Sequence, residues 1–419
     1  MRQVMALVLA GGGSERLSVL TAERAVSAVP FGGKYRVIDF VLSNCCHSEI
    51  RQVGILVQHA PTSLHDHIGA GRPWDLDHRG GGLMVLQPYL TRSHAGWYHG
   101  PADAIAQNWD LIEEHTPERL LVLSGDHVYR MDYRALLRAH VESGAGATVA
   151  VTRVPPEQSR RFGMATVERD GRLTALEEKP EQARTPFANM GVYVFEPAVL
   201  GERIRERPMD IVLDVLRPML AAGVRVHAYA FEGYWEDVGT VGSYFRANLV
   251  AVGPDPRLVL HDPAWPLLTR DEERPSVMLG GHAVVEDGLV ANGCRVDGTV
   301  RRAVLFPGVH VAAGAEVEDA VVMQDTRIEA GARVHHAILD KCVQVGERAI
   351  VGWGEVPAGP EHAWLEGLTL IGKDATITPG ARIGRAAIVG IGAGAADLPG
   401  GELVAGAVTG NRPWYEGVV

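Results

Sequence analysis

Residues 4–44 hold the densest chemistry in the chain. The apolar run VMALVLA has the length and β-branched share of a buried strand, and it stops at Gly11, Gly12 and Gly13. Glycines there let the backbone turn sharply and present N–H groups to a ligand at close range, which is phosphate-binding chemistry. Arg16, Arg24, Lys34 and Arg36 follow within about 25 residues, a local excess of cations in a chain of formal charge −11. Two familiar phosphate loops are excluded. A GxGxxG fingerprint needs glycine where Arg16 stands, and a Walker loop needs Gly-Lys-Ser/Thr after four residues. A glycine-rich turn alone is as often only a tight turn, so the cations carry the reading.

The elements that must position these groups alternate in type. IRQVGILVQ (50–58) reads as a strand, and HIGAGRPWDLDHRGGG (67–82) as a mobile loop near the substrate. Pro101 opens a helix with Ala102, Ile105, Ala106, Trp109 and Ile112 at helical spacing. RLLVLSGDHVYRMDY (119–133) is a buried strand running into Gly125-Asp126-His127, and a helix at 132–143 and a strand at 146–153 follow. Such alternation predicts a Rossmann-like, mostly parallel, doubly wound sheet. Ligands in these sheets sit at the carboxyl ends of the strands, where Gly11–Gly13 and Asp126 both fall. A hairpin turning at Asp170-Gly171, a strand at 189–195 and a helix at about 241–252 complete this part.

Prolines 254, 256, 263 and 266 mark a linker. Beyond residue 277 helical periodicity disappears and small aliphatics recur about every six residues: Val311 and Val317, Ile328 and Val334, Val345 and Val351, then Ile377, Ile383 and Val389. Hexapeptide repeats of this kind predict a left-handed parallel β-helix with the aliphatics stacked inside. Residues 353–370 interrupt it, as an excursion or as a coil-to-coil loop. The domain plan is therefore 1–253, a linker at 254–276, and a β-helix at 277–419. Repeat stacks leave open ends, which favours oligomers.

Composition narrows the class. With 419 residues, 46% hydrophobic and 22% charged, the chain is globular with two domains as the prior. No leader pattern and no membrane-length apolar run appear, so a cytoplasmic protein without a membrane partner is expected. The acidic balance argues against nucleic acid. Four cysteines fit no disulfide or metal spacing, and seventeen histidines show no ligand motif, so none is assigned to a metal.

The order LAGG, Arg16-Leu17, Arg24-Ala25, AVPFGGKYR, IDF and LSN closely resembles the start of the ADP-glucose pyrophosphorylase (glucose-1-phosphate adenylyltransferase) family. The family usually reads GGRGTRL and RAKPAV; here Gly13, Ser14 and Glu15 replace Arg, Gly and Thr, and Val26 and Ser27 replace Lys and Pro. The resemblance implies transfer of a nucleotidyl group from ATP to glucose 1-phosphate, with Mg²⁺ as cofactor, in a homotetramer or a hetero-oligomer with a paralogue. It implies catalytic Arg16 and Asp126, and Mg²⁺ held by Asp126 and Asp237. The nucleotide contacts it implies are Leu9, Ala10, Gly11, Gly12, Gly13, Gln87 and Gly125. For the sugar phosphate it implies Tyr98, Gly163, Glu178, Lys179, Asn189 and Gly191, and for an allosteric effector Lys34 and Arg36.

Three other readings compete. Val26, which can donate nothing to a triphosphate, favours a weakly catalytic or non-catalytic regulatory subunit. Asn189, where the family has serine, leaves room for another sugar-1-phosphate nucleotidyltransferase. An acyltransferase working through the β-helix would need His335 or His336.

Overall fold

A computed structural model describes residues 4–78, 81–89, 96–253 and 256–410. The chain divides into two compact units: Met1–Gly12, Ile38–Pro61 and His65–Trp235 form the first, and Gly13–Val37, Thr62–Leu64 and Glu236–Val419 form the second.

In the first unit, the uninterrupted apolar runs become central strands because both of their faces are covered. Gly82–Leu86, Gln52–Leu56, Val4–Leu9 and Arg119–Ser124 lie side by side in that order, all parallel. Phe187–Phe195 runs antiparallel beside Arg119–Ser124. From it the sheet branches to Ala147–Arg153 with Val226–Phe231, and to the hairpin Gly163–Val167 and Leu173–Glu178. The hairpin turns where expected: Gly171 has φ +80° and the Asp170 carboxylate accepts the Arg172 N–H at 3.0 Å.

Local chemistry altered two expected elements. The helix opened by Pro101 is two helices, Pro101–Gln107 and Trp109–His115, broken at Asn108. The Asn108 amide donates to the Ala104 carbonyl at 2.8 Å and to the Tyr98 hydroxyl at 3.0 Å, and its backbone leaves helical geometry. The stretch expected as a mobile loop is packed in part: Trp74 and Leu76 are buried, and Arg72–Trp74 is a short 3₁₀ turn. Residues 79–80 of it lie outside the described part.

The second unit is built on parallel ladders. Val296, Val311, Ile328, Val345 and Ile377 stack in one column, and Val300, Val317, Val334, Val351 and Ile383 in another. Leu305, Val322, Leu339, Ile371 and Val389 make a third. All of these side chains are buried in one continuous core, the interior of the left-handed β-helix. Thr299 pairs with Glu316 and Glu316 with Arg333, so these coils advance by a constant increment, and the three columns follow one another at spacings of six, five and six residues, as in Val311, Val317, Val322 and Ile328. The interruption is an excursion within one coil: Ile350–Trp353 stacks on Arg333–Leu339, and Thr369–Ile371 returns to the same strand.

Because each column is contiguous, one truncation removes contacts to the coils above and below. Leu339→Ala, between Val322 and Ile371, is expected to cost about 2–5 kcal/mol in urea denaturation. A cost under about 1 kcal/mol would show that the column relaxes around the gap.

Candidate active site

At the carboxyl ends of the parallel strands lies a cavity of about 380 Å³, walled by Leu9, Gly11, Gly12, Gln58, Tyr98, Ser124, Asp126, Gly191, Tyr193 and Asp210, among others. Its floor is the turn after Val4–Leu9. The Gly125 N–H donates to the Leu9 carbonyl at 2.9 Å, and a Cβ on Gly125 would fall 2.9 Å from that oxygen. A Cβ on Gly11 would fall 3.1 Å from the Gln58 nitrogen, so glycine permits the close approach of strands here.

Asp126 follows the strand Arg119–Ser124 and faces the cavity. The Ser124 hydroxyl donates to its Oδ1, which fixes the carboxylate while leaving it 39% exposed. His127 stands beside it, Nε2 3.4 Å from Asp126 Oδ1.

On the opposite wall, strand Phe187–Phe195 bulges between Asn189 and Tyr193. Gly191 sits in the bulge at φ +67°, where a Cβ would meet Ser124 at 3.0 Å and His127 at 3.1 Å. The Asn189 side-chain Oδ1 accepts the Gly191 N–H at 3.0 Å, and its Nδ2 donates to the Tyr193 hydroxyl at 2.8 Å. Burial pushes the Tyr98 and Tyr193 phenols up, so both stay neutral hydroxyls. Gln58 clamps Tyr98, accepting its N–H at 2.5 Å and donating to its carbonyl at 3.1 Å.

Among the described residues the cavity wall omits Ala10, Gly125, Gly163, Glu178, Lys179 and Asn189. Glu178 and Gly163 are neighbours on the hairpin, and Lys179 pairs with Glu178 at 3.4 Å with a left-handed backbone, φ +44°. Gln87 lines a separate cavity with Tyr89 and Trp97 and lies 3.1 Å from His65 Nε2. Gln58 and Asp210 escaped the sequence reading. Asp210 carried a signal, an Asp ahead of an apolar run; it caps Ile211–Leu216 through the Leu213 N–H at 2.7 Å.

The remaining candidates belong to the second unit. Gly13 and Arg16 are exposed, and Arg16 lies in the turn Glu15–Thr21. Ser14, one of the departures from the family pattern, donates to the Gly239 carbonyl at 2.8 Å. Asp237 ends a short strand and accepts the Gly239 N–H at 2.7 Å, just before the Thr240 cap of helix Val241–Val250. Val26 is buried. Lys34 lines a cavity of about 250 Å³ and pairs with Asp271 at 3.3 Å, while Arg36 donates to the Ser63 carbonyl at 2.6 Å.

Arg24 requires a correction. It is not a free phosphate cation: its guanidinium makes two parallel bonds, 2.9 and 2.8 Å, to the Asp340 carboxylate in the β-helix, with both side chains buried. As for the histidines of the repeats, His335 lies 3.5 Å from Glu318 and His336 packs edge-on against Phe245.

A glycine turn and a carboxylate at the carboxyl ends of a parallel sheet, in a chain that continues into a hexapeptide β-helix, define a nucleotidyl transferase. Residues 5–251 match the family model described as nucleotidyl transferase, and residues 277–357 match the GlmU-like C-terminal hexapeptide model. The glucose-1-phosphate adenylyltransferase of Thermomicrobium roseum is 46% identical over 97% of this chain and 97% of its own. That of Acetivibrio thermocellus is 39% identical over 93% of each, and that of Pseudothermotoga lettingae 40% identical over 94% of this chain and 95% of its own. The chain belongs to the glucose-1-phosphate adenylyltransferase family.

Proposed function

We propose that this chain is an enzyme that transfers the adenylyl group of ATP to glucose 1-phosphate, forming ADP-glucose and pyrophosphate for glycogen-type glucan synthesis. The observation that carries it is 46% identity along 97% of both chains to a protein of that name. In this reaction a phosphate oxygen of the sugar attacks the α-phosphorus and pyrophosphate leaves, so no protein nucleophile is needed. The chain must align the two substrates and offset the charge that builds on the phosphates.

In this reading the N–H groups around Gly11 and Gly12 receive the nucleotide phosphates, and Arg16 supplies positive charge to them. Tyr98, Asn189 and Gly191 meet the sugar phosphate with Glu178 and Lys179, and Tyr193 offers a neutral hydroxyl beside Asn189. Enzymes of this family generally use a divalent cation, and Mg²⁺ is the specific proposal, held by Asp126 and Asp237. The Asp126 donor set fits: a partly exposed carboxylate, braced by Ser124 and facing the cavity, offers the hard oxygen that magnesium takes. When bound, the cation draws charge from the phosphate oxygens.

Pyrophosphate release measured with ATP and with UTP tests the reading. ATP should be strongly preferred; equal rates would move the chain to another sugar-1-phosphate nucleotidyltransferase.

One observation favours a second reading, a weakly catalytic regulatory subunit. Val26 is 4% exposed and apolar, so nothing at this position donates to a phosphate. Slow turnover is therefore expected for the wild type. Val26→Lys should raise kcat by up to ~10²-fold with little change in KM, since one preorganised donor is worth that much. Wild-type turnover at a brisk rate, unchanged by the lysine, rejects the second reading.

An anionic effector near Lys34 and Arg36 is part of the proposal. In the same unit the Lys341 amine is pushed down to about 8 by burial and then by Arg36 and Arg24, which a bound anion would relieve. A homotetramer in the cytoplasm completes it. Met278 and Leu279, on the first coil's outer edge, are exposed, and no helix of the described residues is long and apolar enough to cross a membrane.

A further inference from the structure

Among the described residues His127 is the histidine whose ring stands against the carboxylate assigned to the cation, and its hydrogen bonding fixes what that ring can do. Nδ1 lies 2.9 Å from the Met190 carbonyl and 3.4 Å from the Trp235 indole nitrogen. A carbonyl can only accept and an indole N–H can only donate, so one Nδ1 cannot serve both. The shorter contact decides: Nδ1 carries the proton and donates it to Met190, while Trp235 packs edge-on against the ring at 5.2 Å between centroids. In the neutral ring that tautomer leaves the lone pair on Nε2, 3.4 Å from Asp126 Oδ1. The His127 side chain is only 12% exposed, so this orientation is held by packing.

We infer that His127 is a nitrogen ligand to the divalent cation that Asp126 holds. This inference rests on the proposed cation role of Asp126. Asp126 and His127 present ligand atoms within 4.8 Å of one another, which one ion can span. Metal-bound histidines characteristically donate their other ring N–H to a backbone carbonyl or a carboxylate, and Met190 supplies that partner here. The second shell has a further consequence. Met190 precedes Gly191 in the bulge that lines the cavity, so the same imidazole ties the cation's position to the wall assigned to the sugar. A carboxylate-only site suits magnesium, whereas an imidazole donor shifts preference toward manganese and later transition ions.

The test uses Mn²⁺ with inorganic pyrophosphate, a probe that contains no nitrogen, on the full chain. Electron spin-echo modulation of the bound Mn²⁺ should show coupling to a ¹⁴N nucleus in the wild type. His127→Gln should abolish that coupling and weaken Mn²⁺ binding by about 10–100-fold, with a smaller change for Mg²⁺. Thermal melting of the variant, unchanged within a few degrees, separates this from a folding defect. Bound Mn²⁺ without nitrogen coupling, in a protein where Asp126→Asn still weakens binding, overturns the His127 assignment alone. Mn²⁺ binding unaffected by Asp126→Asn overturns the underlying cation reading instead.

Discussion

Asp126→Asn should lower kcat for pyrophosphate release by on the order of 10²–10³ while leaving the protein folded. The substitution keeps side-chain size and keeps an oxygen to accept the Ser124 hydroxyl, so the strand end after Arg119–Ser124 retains its local bracing. What it removes is the negative charge offered to a divalent cation, and a hard cation binds an amide oxygen far less well than a carboxylate. Raising the Mg²⁺ concentration should recover part of the lost activity, because the defect lies in binding the ion. Asp237→Asn is expected to behave similarly; its Oδ1 would still accept the Gly239 N–H that orients it. The checks are steady-state rates over a Mg²⁺ series and a circular-dichroism melt of each variant. If both variants turn over at wild-type rates, these carboxylates do not hold the catalytic ion.

Much of the architecture was legible in the residues because burial leaves a local mark. Val4–Leu9 is apolar along its whole length and Arg119–Ser124 is apolar between its two end residues, as strands covered on both faces must be, and each runs on into glycine, the second also into aspartate, where a ligand can approach. The β-helix columns were legible for the same reason: Val311, Ile328 and Val345 recur because each fills the same interior position of successive coils. What escaped were side chains whose roles depend on distant partners. Asn108 looks like any polar residue on a helix until Tyr98 and Ala104 are placed beside it. Trp74 sits in a glycine-rich stretch that composition marks as loop, yet it is fully buried. Gln58 has no motif; its value comes from clamping Tyr98, 40 residues on. The histidine count similarly hid His127, since its relation to Met190 spans 63 positions.

Arg24 is the largest departure from expectation, and it gives the clearest energetic test. Its partner Asp340 lies 316 positions away, so nothing near Arg24 in sequence signals that its charge is already committed. Both side chains are nearly or fully buried, 5% and 0% exposed, and Asp340 also accepts the Lys341 N–H at 2.8 Å. A buried pair of this kind is costly to break one-sidedly, because the surviving charge keeps its desolvation penalty without its partner. Asp340→Leu should therefore destabilise the protein by about 3–5 kcal/mol in denaturant titration. Arg24→Met alone should cost a similar amount, about 3–5 kcal/mol, by stranding the carboxylate. The double variant Arg24→Met with Asp340→Leu replaces the pair by apolar side chains of comparable length and should recover most of that loss. Activity then separates two roles for Arg24. If the guanidinium only anchors the Gly13–Val37 segment to the β-helix, the double variant regains turnover along with stability. If Arg24 also serves the nucleotide phosphates, the double variant is stable yet slow, and the pairing with Asp340 is not the whole role of the guanidinium.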